Sequence, residues 1–382
     1  MAYFNVFHFN LSGFGNVVNV GSSFADLTVS GGAGGDTITG GTDSIGGGGD
    51  DTLIASALGA TLRGGAGDDT LSGGAGGDLL YDGAGVDDVF GAGGSDVLFL
   101  TTGDVALGDR YNGGLGRDTI EVSPISNIDI SAAEISGFEY LSAFEIRASA
   151  SQIDSFSEIS VTTIELTTSG VVEFTSQDVI YLREIILSSQ GNAIEMGTGG
   201  FFVTGGAGND VINGGNWDDV NTGGAGNDVL SGRGGQDALS GEAGDDYIRG
   251  DSNGDGLVGG DGNDTLLGGD GGDYLVGGAG NDLLTGGAGD DYFRFSALSD
   301  GSDTISDFSS AQGDRLEFEN LLHGSFSYRG TAAFTASGNS EARFDGGIVL
   351  VDANGNGVAD ITIIMTGISA ATQLTAADFT VW

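Results

Sequence analysis

An all-β chain wound as a parallel β-solenoid is what this sequence predicts, and three observations carry the prediction. A nine-residue block repeats ten times without insertion from Gly205 to Arg294. Its sixth position is always aspartate, and its eighth is apolar in every block but one, where Asn221 stands. Glycine supplies 76 of 382 residues and proline one, Pro124, which excludes collagen and favours tight turns joining short strands.

The blocks read "GGAGNDVIN" at 205, "GGAGNDVLS" at 223, "GGDGNDTLL" at 259 and "GGAGNDLLT" at 277. Their sixth positions are Asp210, Asp219, Asp228, Asp237, Asp246, Asp255, Asp264, Asp273, Asp282 and Asp291. An earlier array is less regular. "GGAGGDTIT" at 31 carries Asp36 and precedes a six-residue interruption, "GGTDSI". Six blocks then run from Gly46 to Phe99, with Asp51, Asp69, Asp78, Asp87 and Asp96 in phase. Block 55–63 keeps Leu62 but has Ala60 in place of the aspartate, and an isolated unit at 113–121 carries Asp118.

The spacing has a chemical reading. Glycines at positions one, two and four permit positive φ, so the backbone turns tightly and aims carbonyls inward. The aspartate adds a carboxylate to those carbonyls, and the x-apolar-x tail forms a strand with its middle residue in the core. Two blocks make one coil of 18 residues, so the aspartates form two rows. Asp210, Asp228, Asp246, Asp264 and Asp282 lie in one, and Asp219, Asp237, Asp255, Asp273 and Asp291 in the other. Neighbours within a row are about 4.8 Å apart.

Charge points the same way. Fifty-five acidic residues face eleven basic ones, all arginine, for a formal charge of −44. Such a chain repels nucleic acid and anionic membrane surfaces, and its compaction asks for a hard, oxygen-seeking cation, calcium first. Without cysteine there are no disulfides, thiolate metal sites or thiol nucleophiles. "MAYFNVFHFN" lacks the basic and continuous apolar regions of a Sec signal, and no apolar run approaches the ~20 residues of a membrane span.

The blocks resemble the glycine-aspartate nonapeptide G-G-x-G-x-D-x-U-x of RTX proteins. The resemblance implies a calcium-bound parallel β-roll, type I secretion, and folding only after export into millimolar calcium. It also implies that each interior ion takes aspartate carboxylates and turn carbonyls from neighbouring same-side blocks. Ala60 and Trp217, the latter in place of the position-four glycine before Asp219, weaken single sites. The expected organisation is an N-terminal β cap or assembly segment (1–30), a first RTX β-roll (31–121) and a metal-free β-solenoid segment (122–204). A second RTX β-roll (205–294) and a C-terminal cap with the type I secretion signal region (295–382) follow.

In the middle segment "ISAAEISGFEYL", "ASASQIDSFSEI" and "FTSQDVIYLREI" form a looser repeat, read as one strand and one short helical turn per coil. An independent small β domain is the alternative. Near the C-terminus, "DGSDTISDFSSAQGDRLEF" and "TAADFTVW" resemble the ends of type I-secreted RTX proteins. "VDANGNGVADITI" gathers Asp352, Asn354, Asn356 and Asp360 in an oxygen-rich turn, which reads as a further ion site or as a plain hairpin turn.

Catalytic readings fare poorly. Gly250-Asp251-Ser252-Asn253-Gly254 spells G-x-S-x-G, but it falls in frame with the blocks, and only His8 and His323 exist as partners. No H-E-x-x-H occurs. Tyr274 and Tyr292 share position seven of adjacent same-side blocks, a ladder that suits cross-strand packing or sugar stacking. The expected function is therefore a secreted, calcium-binding structural protein, not an enzyme, that assembles through its solenoid ends into a surface layer, filament or matrix. A carbohydrate-binding or adhesive module is the alternative, with surface polysaccharide as partner, and an enzyme acting on polysaccharide the distant third.

Overall fold

The computed structural model describes residues 7–11, 13–21, 27–56, 58–123, 127–174, 178–298 and 300–381. It is a parallel β-solenoid with almost no helix: one α-helical turn, Ala150–Ile153, and two 3-10 turns are present among the described residues. No helix among them is long and apolar enough to cross a membrane. The chain forms two compact units, Met1–Thr168 with Ser176–Arg183, and Ser169–Thr175 with Glu184–Trp382.

In the second unit the nonapeptide writes the strands directly. Val220–Ala225, Val229–Gly234, Ala238–Ala243, Tyr247–Ser252, Gly256–Asp261, Thr265–Asp270, Tyr274–Ala279 and Leu283–Ala288 each start at position seven. They continue for six residues, into the glycines of the next block, and so run longer than the three-residue tail that spacing suggested. Strands pair in parallel with the strand 18 residues away, as in Ala238↔Gly256 and Tyr247↔Thr265. Position eight points inward, and Leu230, Ile248, Leu257, Leu266, Leu275, Leu284 and Phe293 are completely buried. These stacked apolar side chains are the core between two sheets.

The turns correct one detail of the glycine argument. Positions two and four do take positive φ, as at Gly260 (121°) and Gly262 (145°). Arg233, Glu242, Asp251 and Asn253 adopt the same left-handed backbone at these positions without being glycine. Position one is different. A Cβ on Gly250, Gly259 or Gly268 would meet an aspartate oxygen at 2.2–2.3 Å, so there glycine answers close approach rather than φ.

The roll ends in a cap. Strands Glu341–Phe344, Ile348–Asp352 and Ile361–Met365 pair antiparallel, the last also parallel to Ser302–Ile305. Phe379–Val381 pairs with Arg315–Phe318, and Phe295, Phe318 and Phe379 stack with centroids 5.5 and 6.5 Å apart.

The first unit uses the same scheme with uneven coils. Pairings span 15 residues at Thr28↔Asp43, 18 at Thr61↔Leu79 and 22 at Val97↔Thr119. Phe7–Asn10 and Val17–Gly21 form the last described strands of its two main sheets. Farther along, Asn127–Asp129, Glu145–Ala148 and Thr163–Leu166 stack in parallel at 18-residue spacing. The expected helical turn appears only at Ala150–Ile153; Glu134–Ser136, Tyr140–Ser142 and Glu158–Ser160 show these coils to be built from several short strands instead. Short apolar-polar alternation favours strand, and among the described residues of these coils only Ser149 and Gln152 supply a capping box. Residues 175–177 of the third such unit lie outside the described residues.

Candidate metal centre

Each position-six aspartate is buried at the turn where one coil passes to the next. Its Oδ1 accepts the backbone N–H of the residue one coil earlier, another aspartate except at Asp36, Asp78, Asp210 and Asp219, which accept from Asn16, Ala60, Asn192 and Phe201. In the second array Asp228 accepts from Asp210 at 2.7 Å, Asp246 from Asp228 at 2.7 Å, Asp264 from Asp246 at 2.8 Å and Asp282 from Asp264 at 2.8 Å. The other row runs Asp219, Asp237, Asp255, Asp273 and Asp291 in the same way, at 2.8–3.0 Å. In the first array one row links Asp36, Asp51, Asp69 and Asp87, and the other Asp78, Asp96 and Asp118. Ala60, lacking a carboxylate, still donates its N–H to Asp78 at 2.6 Å.

The second oxygen has no such partner. Oδ2 is buried and unbonded at Asp36, Asp51, Asp69, Asp78, Asp87, Asp96 and Asp118, and again at Asp228, Asp237, Asp246, Asp255, Asp264, Asp273, Asp282 and Asp291. It lies on the open side of the block's first glycine. A Cβ on Gly250 would sit 2.2 Å from Asp255 Oδ2 and 2.7 Å from the Gly268 carbonyl oxygen; at Gly259 the distances to Asp264 Oδ2 and the Gly277 carbonyl are 2.2 and 2.4 Å. Carboxylate and carbonyl oxygens thus converge on a space that only glycine leaves open. Among the described residues no three Asp, Glu, His or Cys side chains cluster as a metal site. A cation here would draw most of its ligands from backbone carbonyls, a donor set suited to calcium's six to eight oxygens.

With Oδ2 unbonded and the side chain desolvated, Asp51, Asp96, Asp118, Asp246, Asp273 and Asp282 resist ionisation. Burial pushes Asp69, Asp78, Asp255, Asp264 and Asp291 up to about 7, and Asp87, Asp228 and Asp237 to about 6. The accepted N–H pulls each back in part, and neighbouring carboxylates push up again, Asp237 and Asp273 on Asp255. Two unit charges about 4.8 Å apart repel by roughly 3.5 kcal/mol at an effective dielectric of about 20, so ionised rows need a counter-charge.

The rows close at their ends. Asp210 and Asp219 turn Oδ2 onto the N–H groups of Gly206 and Gly215. Three further aspartates extend the rows, and spacing missed them: Asp109 accepts from Asp87, Asp303 from Asp282, and Asp314 from Asp291. All three keep the aspartate-x-apolar tail (Asp109-Arg110-Tyr111, Asp303-Thr304-Ile305, Asp314-Arg315-Leu316) without the full glycine turn, and that tail is the signal that finds them. Glu139 ends another row, accepting from Asp118 at 2.8 Å. Asp82, at position one, and Tyr111 form a variant: Tyr111 Oη lies 2.5 Å from Asp82 Oδ2 and 2.8 Å from Asp109 Oδ2.

The turn at 352–360 is built differently. Asp352 accepts the N–H groups of Gly355, Asn356 and Gly357, and Asp360 those of Ala353 and Asn354. Asn354 and Asn356 likewise accept N–H groups two residues on. The four residues come together, but their oxygens hold the turn between Ile348–Asp352 and Ile361–Met365.

Ser252 ends the strand Tyr247–Ser252, between Gly234 and Asp270 of the flanking coils, and the strand Gly256–Asp261 follows it. The strand-to-helix elbow that a nucleophilic serine needs is not formed there. The His323 backbone N–H lies against Ala353 and Ser340 in the cap.

A family model for the RTX calcium-binding nonapeptide repeat, in four copies, matches residues 28–44, 63–98, 197–230, 222–257 and 258–293. The chain carries RTX repeats. The matches fall in both aspartate arrays and support a calcium-binding RTX-type protein. No curated protein matches the chain.

Proposed function

We propose that the protein is a secreted structural scaffold whose RTX arrays fold around calcium outside the cell and which then self-associates. The buried, unbonded Oδ2 of successive aspartates carries this reading. The ligands are Asp36, Asp51, Asp69, Asp78, Asp87, Asp96 and Asp118 in the first array. In the second they are Asp228, Asp237, Asp246, Asp255, Asp264, Asp273, Asp282 and Asp291, with Asp210 and Asp219 at the row ends. Each ion joins adjacent coils through a carboxylate and glycine carbonyls and turns like-charge repulsion into cross-linking. Asp352, Asn354, Asn356 and Asp360 serve the cap as a hairpin turn.

A type I export route suits a chain that stays unfolded where calcium is scarce and gains its structure on release. Self-association is supported by the first unit, where Phe7–Asn10 and Val17–Gly21 are the last described strands of their sheets and Phe9, Phe14 and Val17 are exposed. A terminal strand with exposed apolar residues invites pairing. Light scattering and negative-stain microscopy during a calcium titration test the proposal. Ordered assemblies are expected at millimolar calcium, and a persistent monomer there contradicts the assembly role.

A further inference from the structure

Position seven of the RTX block faces outward, and on one face of the second unit it runs Val220, Ala238, Gly256, Tyr274, Tyr292 in successive coils. The side chains shrink to nothing at Gly256, and then Tyr274 rises as a wall. This leaves a groove of about 480 Å³, flanked by Val258 and Val276 and reached by the hydroxyl-bearing Thr222 and Ser240.

Gly256 is a glycine that the backbone does not require. Its φ is not left-handed, and a Cβ there would meet only the Asp237 carbonyl oxygen, at an ordinary 3.8 Å. Position-one glycines of the array, by contrast, leave no room for a side chain, as Gly250 and Gly259 show. The missing side chain at Gly256 therefore opens a slot instead of solving a turn. Coils are about 4.8 Å apart, so Ala238 and Tyr274 stand about 9.6 Å apart across it, the space of one stacked ring.

The wall of that slot is held in place. Tyr292 stacks on Tyr274 with centroids 4.7 Å apart and planes 10° from parallel. The Arg294 guanidinium lies 5.7 Å from the Tyr274 centroid, and Glu317 and Glu319 balance its charge at 3.1 and 3.5 Å. No acidic residue lines the groove, in a chain carrying 55 of them. Its floor strands are hydrogen-bonded to neighbours on both sides, so a peptide cannot dock by adding a strand.

The groove thus offers a fixed aromatic face, an apolar floor, hydroxyls and a single charged lining residue, Arg294, whose guanidinium is engaged by Glu317 and Glu319. We propose that it binds a neutral pyranose unit of a glycan, stacked on Tyr274 in the slot above Gly256. This goes beyond the scaffold role and needs from it only that the array be folded.

The test uses the full chain in calcium, titrated calorimetrically with neutral hexasaccharides of glucose and of N-acetylglucosamine, after circular dichroism has verified the fold. Binding of at least one is expected. Tyr274→Ala weakens it by about tenfold, the upper range for loss of one stacking face. Gly256→Val fills the slot, keeps the calcium-dependent spectrum and abolishes binding; Gly256→Ala, a smaller filling, weakens it. Undiminished binding by a folded Gly256→Val or Gly256→Ala protein overturns the proposal. So does the absence of binding by either sugar, or capture of an aromatic peptide in their place. A chain that fails to fold in calcium would show this in the spectrum before any sugar is added, and would count against the calcium reading instead.

Discussion

The first unit contains two kinds of coil that share one geometry and solve their turns in opposite ways. Coils between residues 43 and 122 place an aspartate at every turn except that of Ala60, and most leave its Oδ2 buried without a partner. Coils between 127 and 168 keep the 18-residue register, as in Tyr140↔Glu158, but fill the same kind of turn with Ile130, Ala133, Ile153 and Phe156, all buried. Their spare carbonyls are met by protein: Gln152 Nε2 donates to Ile130 and Ala133 at 2.8 and 2.9 Å. No carboxylate oxygen is left buried and unbonded among the described residues of this stretch. Coil geometry therefore follows from strand register and the inward apolar ladder. The aspartate rows add a separate demand for a cation, which makes one kind of coil conditional and the other self-sufficient.

Removing calcium should separate the two most sharply. With a chelator at pH 7.5, hydrogen exchange is expected to show amide protection lost across the aspartate rows and retained at Ile146, Ile159 and Ile164. Equal loss in both stretches would erase the distinction.

Acid should partly replace the metal. The raised carboxyls, at about 6 for Asp87, Asp228 and Asp237 and about 7 for Asp69, Asp78, Asp255, Asp264 and Asp291, hold protons in the fold that the unfolded chain has released. Their contribution to metal-free stability is full below the ordinary carboxylate value of about 4 and is lost as pH rises through 6 to 7. Metal-free protein is thus expected to show more β signal at pH 4.5 than at pH 7.5. Calcium must displace these protons, so its affinity should rise over pH 6–7.

Single substitutions carry the comparison to one residue. Asp255→Ala removes a proposed ion ligand and leaves the Asp237 N–H without its 2.8 Å acceptor. It should cost about 1–3 kcal/mol from the orphaned amide alone, and raise the calcium midpoint further. Gln152→Leu should cost about 1–3 kcal/mol through two stranded carbonyls and leave the calcium midpoint unchanged. Asp352→Ala should lower the melting temperature of the cap without changing the number of calcium ions bound. The smallest effect expected is from Ala60→Asp, which restores a missing carboxylate and should raise the bound-calcium count in mass spectrometry of the native protein.

How much of this was legible in the sequence divides along physical lines. Aspartate phase and apolar position eight revealed the solenoid, the two rows and the inward face, because a strict period leaves no freedom of register. Asp109, Asp303 and Asp314 escaped because their turns lack the glycine pattern while keeping the strand-opening aspartate. The division of labour between Oδ1 and Oδ2 was invisible, since spacing carries no information on which oxygen meets an N–H. Gly256 looked like any other glycine, and only the backbone shows that it is there for space. For Asp352 and its neighbours the sequence left an ion site and a plain hairpin turn open, and it carried no sign that their oxygens accept the hairpin's own amides.

Far-ultraviolet circular dichroism of the full chain, titrated with calcium from a chelated start at pH 7.5, tests the central claim most directly. A cooperative gain of β signal as calcium reaches the millimolar range is the expected result. A chelated protein with the same β spectrum as the calcium-loaded one would contradict it.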